Sequence, residues 1–318
     1  MKYRRLGKTG FNVSEVSLGT WQVGGKWGTG FDEKNAADIL NKAIDEGINF
    51  IDTADVYENG QSEATVGRIT NQRSEKIYIA TKCGGQIKPR VSKGYTPEVL
   101  RQYVEQSLRN LRRDHIDLIQ LHCPPTEVYY RPEIFGLFED LVSEGKILHM
   151  GVSVQKVEEA IKAMNYPIVS TVQIIFNMFR QRPADHFFRE AAARDVGVIV
   201  RVPLASGLLS GVYDRKSTFG ASDHRNFNRE GAVFDRGETF SGIPYETGLQ
   251  AVEELKALFP GHKNLAPVAL KWILMFKEVG CVIPGASKVE QLIFNLTPPH
   301  MPDLEEDKMK AINDIYDK

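Results

Sequence analysis

Four residues of types that exchange protons or hold charge stand at or just beyond the ends of short apolar runs: Asp52 after Ile48–Ile51, Lys82 after Ile77–Thr81, His122 after Leu118–Leu121, and Tyr57 five residues beyond the aspartate. Taken singly, each has a structural reading: a turn or cap for the acid, a snorkelling amine, a satisfied core imidazole. Together, an acid, an amine, an imidazole and a phenol on successive segments point to proton chemistry. A free tyrosine titrates near 10, too high for efficient proton transfer at neutral pH, so it needs a positive neighbour. Lys82 is expected to favour the phenolate and lower the Tyr57 pKa, Asp52 to hold the ammonium, and His122 to hydrogen-bond a carbonyl oxygen. Such a set stabilises an oxygen that gains negative charge when hydride reaches a carbonyl carbon.

These residues need elements that bring strand tips together. The chain alternates short β-branched runs with longer segments of helical spacing. The runs are Val13 to Leu18, Ile48 to Asp52, Ile77 to Lys82, Ile116 to His122, Ile147 to Ser153, Val169 to Asn177, Val196 to Pro203 and Val279 to Pro284, about eight strands. Ala36, Ile39, Leu40, Ala43 and Ile44 mark one helix, and Val99 to Leu108 another, with Thr96 as N-cap and Pro97 at its first position. Eight units without a linker or compositional break predict an α/β fold, a closed (β/α)8 TIM barrel forming one domain over residues 1–318. An open doubly wound sheet is the alternative, but no G-x-G-x-x-G follows a strand, and the glycine-rich run from Gly24 to Gly30 is wrongly spaced. Gly7-Lys8-Thr9 lacks the earlier glycine of a phosphate loop.

A long polar loop after the seventh strand, about residues 209–245, is too charged for core and predicts a lid over the barrel mouth. A helical extension is expected over about 296–318, with its periodicity in Leu304 to Tyr316. Lys and Arg number 40 against 41 Asp and Glu, a balance that recruits neither nucleic acid nor an anionic membrane. Apolar runs fall far short of the roughly 20 residues that cross a bilayer, and no secretory stretch follows Met1. Three cysteines, Cys83, Cys123 and Cys281, form no C-x-x-C pair. The expectation is a soluble, cytoplasmic protein with no membrane insertion, and an oligomeric state left open. Strand alternation turns Cys83 and Cys123 away from Lys82 and His122, as inert thiols.

With Leu18-Gly19-Thr20-Trp21, Phe50-Ile51-Asp52-Thr53-Ala54-Asp55-Val56-Tyr57, Thr81-Lys82 and Leu121-His122, the chain closely resembles the aldo-keto reductase superfamily over nearly its whole length, especially the group of bacterial general-purpose reductases and potassium-channel β subunits. The resemblance implies NADPH-dependent reduction of aldehydes or ketones, with Tyr57 as general acid and Asp52, Lys82 and His122 completing the catalytic set. It implies a small-molecule carbonyl substrate and a cofactor extended across the mouth. It further implies that Ser153 and Gln173 hold the carboxamide, that Phe176 stacks on the nicotinamide, and that Gly19, Thr20 and Trp21 line the cofactor. Pro203, Leu204, Ser206, Gly207, Leu209 and Gly211 correspond to the pyrophosphate loop, and Gly285, Ser287, Lys288, Gln291 and Asn295 to the adenosine end. Trp21, Tyr57 and His122 are expected to bound the substrate pocket, with Trp27, Tyr129 and Tyr130 as further aromatic candidates.

Two departures from the family pattern concern cofactor grip. Val154 stands where an Asn usually helps hold the carboxamide, and the 2′-phosphate end offers Ser287 and Lys288 without the usual bidentate Arg. Arg201 replaces an aromatic or small residue and puts a fixed charge near cofactor or substrate. Two alternatives are an NADPH-binding, redox-sensing regulatory subunit of a membrane partner, and a metal-dependent barrel lyase or hydrolase. No H-x-H pair or carboxylate cluster at the strand tips supports the second, and no metal site is expected.

Overall fold

Eight parallel strands are joined in one sheet in the computed structural model, which describes residues 1–25 and 30–318. They are β3 (Leu18–Gly19), β4 (Phe50–Asp52), β5 (Tyr78–Cys83), β6 (Ile116–His122), β7 (Ile147–Ser153), β8 (Val169–Ile175), β9 (Gly197–Arg201) and β10 (Val279–Val282). Parallel bridges Val16–Val282 and Gly19–Gly285 bring the last strand back to the first, so the sheet closes into a barrel. Helices follow the strands on the outside, beginning with α1 (Glu33–Asp45), α2 (Gln61–Thr70), α3 (Pro97–Leu111), α4 (Pro132–Ser143), α5 (Val157–Ala163) and α6 (Phe187–Ala193). The (β/α)8 architecture is therefore present as expected.

The first run is corrected. Val13 to Leu18 is not one strand: β1 (Tyr3–Arg5) and β2 (Asn12–Ser14) pair antiparallel as a hairpin, and the barrel proper starts at Leu18. Leu6, Phe11 and Val13 from this hairpin region join Phe50, Tyr78, Ala80, Leu118, Ile199 and Cys281 in a cluster that fills the barrel interior. The hydrogen-bonded strand also begins two residues later than expected at β4 and ends two residues earlier at β8 and β9, where the chain has already left the ladder.

Period-two alternation carries the polar residues to the top of this interior. Inward positions read Phe50 then Asp52, Tyr78, Ala80 then Lys82, and Leu118 then Gln120 and His122, apolar below and polar above. Outward positions such as Ile51, Ile79, Ile119 and Val172 pack against the helices in the larger core. Helix starts follow the expected chemistry: Thr96 accepts from Val99 N–H at the start of α3, with Pro97 next.

Residues 209–245 form no plain loop. After a 3-10 turn (Ala205–Ser210) come α7 (His224–Phe227) and two further 3-10 turns, leading into α8 (Tyr245–Leu258). His224, Asn228, Thr239 and Phe240 are buried there despite the local polarity, because Asn228 satisfies backbone N–H groups of Val233 and Phe234. α9 (Ala266–Leu274) and α10 (Val289–Asn295) follow. α11 (Glu306–Tyr316) packs against α8 outside the barrel, within the expected extension. Among the described residues, no helix is long and apolar enough to cross a membrane.

Candidate active site

Asp52 ends β4 with its carboxylate in the barrel axis, 2 % exposed, and receives three donors. Lys82 Nζ donates to Oδ2 at 2.5 Å; Gln173 Nε2 and Gln120 Nε2 donate to Oδ1 at 2.7 and 3.1 Å. Lys82 Nζ also donates to the Thr53 carbonyl at 2.7 Å and to Tyr57 Oη at 3.3 Å. Burial alone would depress the Lys82 ammonium, but the Asp52 carboxylate and Tyr57 outweigh it and raise its pKa.

Tyr57 departs from expectation in one respect. Its pKa is raised, not lowered, because burial of the phenol outweighs the Lys82 charge, with Asp52 and Glu238 adding to the rise. The residue is held as a neutral phenol whose anion has one cation in contact. His122 stands edge-on to Tyr57, ring centroids 6.2 Å apart. Burial, reinforced by Lys82, Arg90 and Arg201, pushes its pKa down to about 3, so the imidazole is neutral and works as a hydrogen-bonding group. Arg90 Nη2 donates to the His122 carbonyl at 2.7 Å and fixes the strand end.

A cavity of about 680 Å³ runs from Asp52 and Tyr57 along the mouth to Gln291 and Asn295. Its wall includes Gly19, Thr20, Trp21, Gln173, Pro203, Leu204, Ser206, Gly207, Gly285 and Ser287, all expected to meet cofactor. Lined by Gly19, Gly207 and Gly285 and by the amides of Gln173, Gln291 and Asn295, it fits the expected cofactor residues. Gly207, at φ +91°, would place a Cβ 3.0 Å from the Tyr213 hydroxyl, so this turn needs a residue without a side chain.

Several expected residues lie elsewhere. Phe176 is fully buried in an aromatic cluster with Trp272, Phe188 and Phe276, their centroids 4.8–4.9 Å away, on the helix side of the sheet. Three positions from inward-facing Gln173, alternation turns it outward, and it cannot stack on a ring in the mouth. Ser153 is buried with Oγ 3.4 Å from Cys123 Sγ. Leu209, Gly211 and Lys288 do not line the cavity, nor do Lys82 and His122, which stand behind and beside Tyr57. Tyr129 is buried and Tyr130 is exposed, both away from the cavity; Trp27 lies outside the described residues.

Cys123 also departs from the expected strand alternation. It follows the last residue of β6 at φ +46°, which breaks the alternation, and Arg201 Nη2 approaches its Sγ at 3.6 Å. Burial raises its pKa, so the thiol stays protonated. Cys83 does face the outer core, as alternation requires.

Arg201, ending β9, lines the cavity, pairs with Glu238 and donates to the Val154 carbonyl at 2.8 Å. Sequence reasoning missed Glu238, His224 and Gln120. Gln120 was open to discovery, because it alternates with His122 on one strand; Glu238 and His224 reach the mouth only through the fold of their segment. His224 lies tilted against Trp21, centroids 5.1 Å apart with 44° between the ring planes.

Residues 15–317 match the model of the Aldo/keto reductase family. The chain belongs to that family. This aldo/keto reductase is 30% identical to "Uncharacterized oxidoreductase YqkF" of Bacillus subtilis, over 99% of this chain and 98% of the relative. It is 28% identical to the "NADH-specific methylglyoxal reductase" of Escherichia coli, over 93% of each. The solved holo form of aldo-keto reductase AKR11C1 from Bacillus halodurans superposes with a TM-score of 0.79 at 27% identity, covering 99% of this chain and 96% of that one. The protein is accordingly an oxidoreductase with nicotinamide-linked carbonyl chemistry.

Proposed function

We propose that this protein reduces small aldehydes or ketones to alcohols with NADPH, Tyr57 acting as the general acid. The observation that carries the reading is Tyr57 Oη at 3.3 Å from Lys82 Nζ, beside a cavity of about 680 Å³ whose lining reaches from Tyr57 to Asn295. When bound, the reduced nicotinamide supplies hydride to the carbonyl carbon. Tyr57 gives its phenolic proton to the carbonyl oxygen, and the Lys82 ammonium, held by Asp52, stabilises the phenolate left behind. Neutral His122 donates a hydrogen bond that orients the oxygen. Gln173, Ser206, Gly207, Gly285, Ser287, Gln291 and Asn295 would hold the cofactor, with Ser287 and neighbouring Lys288 toward a 2′-phosphate.

The test is a turnover screen over aldehydes, ketones and aldoses with NADPH and NADH, alongside Tyr57→Phe. Carbonyl reduction is expected, falling about 100- to 10,000-fold in the variant while cofactor binding by fluorescence titration is retained. Near-normal turnover in Tyr57→Phe would sink the assignment. A clear preference for NADH would overturn the cofactor part alone.

A further inference from the structure

Asp55 lies between Asp52 and Tyr57 in the chain and takes no part in the chemistry above. Its side chain is 1 % exposed, and neither carboxyl oxygen closes a well-formed hydrogen bond. His122 Nδ1 is also buried without a partner, and it faces Asp55 Oδ1 at 3.9 Å. Gly85 makes the approach possible: a Cβ there would stand 2.7 Å from His122 Nδ1 and 3.4 Å from Asp55 Oδ1. Two buried polar atoms left unpaired face to face are costly unless a proton lies between them.

The requirement on His122 decides where that proton belongs. To hold a substrate oxygen, a neutral imidazole must carry its hydrogen on Nε2, which leaves Nδ1 as an acceptor in need of a donor. A carboxylic acid is such a donor; a carboxylate is not. We propose that Asp55 is a positioning residue that keeps its proton, donates it in a hydrogen bond to His122 Nδ1, and so holds Nε2–H toward the substrate carbonyl. The inference rests on the carbonyl-reductase reading.

The surroundings agree. Burial pushes the Asp55 carboxyl up to about 7, although the Val56 and Gly84 N–H groups, Lys82 and Arg90 favour its anion. Lys82, Arg90 and Arg201 face His122, with Glu238 opposing them. Glu63, Cys83 and Tyr103 lie within electrostatic reach of Asp55. Below about 7 the pair therefore holds one proton on Asp55 and one on Nε2. Above it, Asp55 releases its proton to solvent and the carboxylate draws the imidazole hydrogen to Nδ1. Nε2 then presents a lone pair to the carbonyl oxygen, and catalysis falls.

The test is the pH profile of kcat/KM for the full-length wild type, Asp55→Asn and Asp55→Ala with one carbonyl substrate. Wild type should lose about tenfold per pH unit above an apparent pKa near 7, the behaviour of a single essential proton. An Asn amide always donates, so Asp55→Asn should stay within about tenfold of wild type at pH 6 and show no such limb. Asp55→Ala, unable to donate, should be at least about tenfold slower at pH 6. An unchanged limb in Asp55→Asn, or no limb in wild type, overturns the role of Asp55. Failure of wild type to reduce any carbonyl overturns the functional reading instead. If the variants do not fold, the ¹⁵N shifts of His122 in wild type decide: hydrogen on Nε2 at pH 6 moving to Nδ1 near pH 7–8 supports the proposal. Hydrogen on Nδ1 throughout overturns it.

Discussion

Arg201, the last residue of β9, forms an ion pair with Glu238 from the segment folded over the mouth. The guanidinium also donates to the Val154 carbonyl, so it ties three parts of the rim together. Glu238→Gln removes one charge of a largely buried pair and is expected to cost about 2–4 kcal/mol of stability in urea unfolding. Because the lost contact joins the segment over residues 209–245 to the barrel, cofactor release followed by stopped-flow fluorescence should accelerate about tenfold or more. Unchanged release would mean that the pair does not restrain this segment.

Asp52 anchors the Lys82 amine. Asp52→Ala leaves the Lys82 ammonium buried with only the Thr53 carbonyl and Tyr57 as partners, at an expected cost of about 3–5 kcal/mol. Asp52→Asn keeps the shape but withdraws the charge that raises the Lys82 pKa. Turnover should fall about 100-fold or more, with cofactor affinity little changed. Steady-state kinetics with parallel cofactor titration checks both.

His224 makes the segment over residues 209–245 acid-sensitive. Burial lowers its pKa from 6.5 to about 4, against the pull of Asp223. On acidification the unfolded chain takes up this proton first, so stabilisation fully present above pH 6.5 is lost as pH falls toward 4. Relative to His224→Gln, wild type should lose on the order of 2 kcal/mol between pH 7 and 5. Urea unfolding of both proteins at the two pH values measures the difference. A constant gap would contradict the buried neutral imidazole.

Trp21 lies between Tyr57 and His224, 6.4 Å from the Tyr57 ring and 5.1 Å from His224 by centroids. Trp21→Ala removes an apolar wall of the cavity and should raise KM for aromatic aldehydes about tenfold, with less effect on the smallest substrates. Equal KM changes across aldehyde sizes would remove Trp21 from the substrate wall.

Much of the site was legible because a strand has a period of two. Once Asp52, Lys82 and His122 are read as strand ends facing inward, their meeting at one mouth follows from barrel geometry. The same rule, applied from Gln173, would have turned Phe176 outward and drawn Gln120 in beneath the carboxylate. The Phe176 expectation rested on family resemblance, which carries no strand parity. Cys123 is different: its positive φ just past β6 is not encoded in its residue type, and it swings the thiol beside Arg201.

The amino-acid sequence by itself determined the alternation of strands and helices, the barrel, and the identity of the acid, amine, phenol and imidazole, since these depend on local periodicity and residue chemistry. Tertiary structure alone decided the direction of the Tyr57 shift, the Arg201–Glu238 pair and the face-to-face placement of Asp55 and His122 across Gly85. Each depends on burial and on distances between residues far apart in the chain. Electrostatic energy depends steeply on both, and neither can be read along the chain.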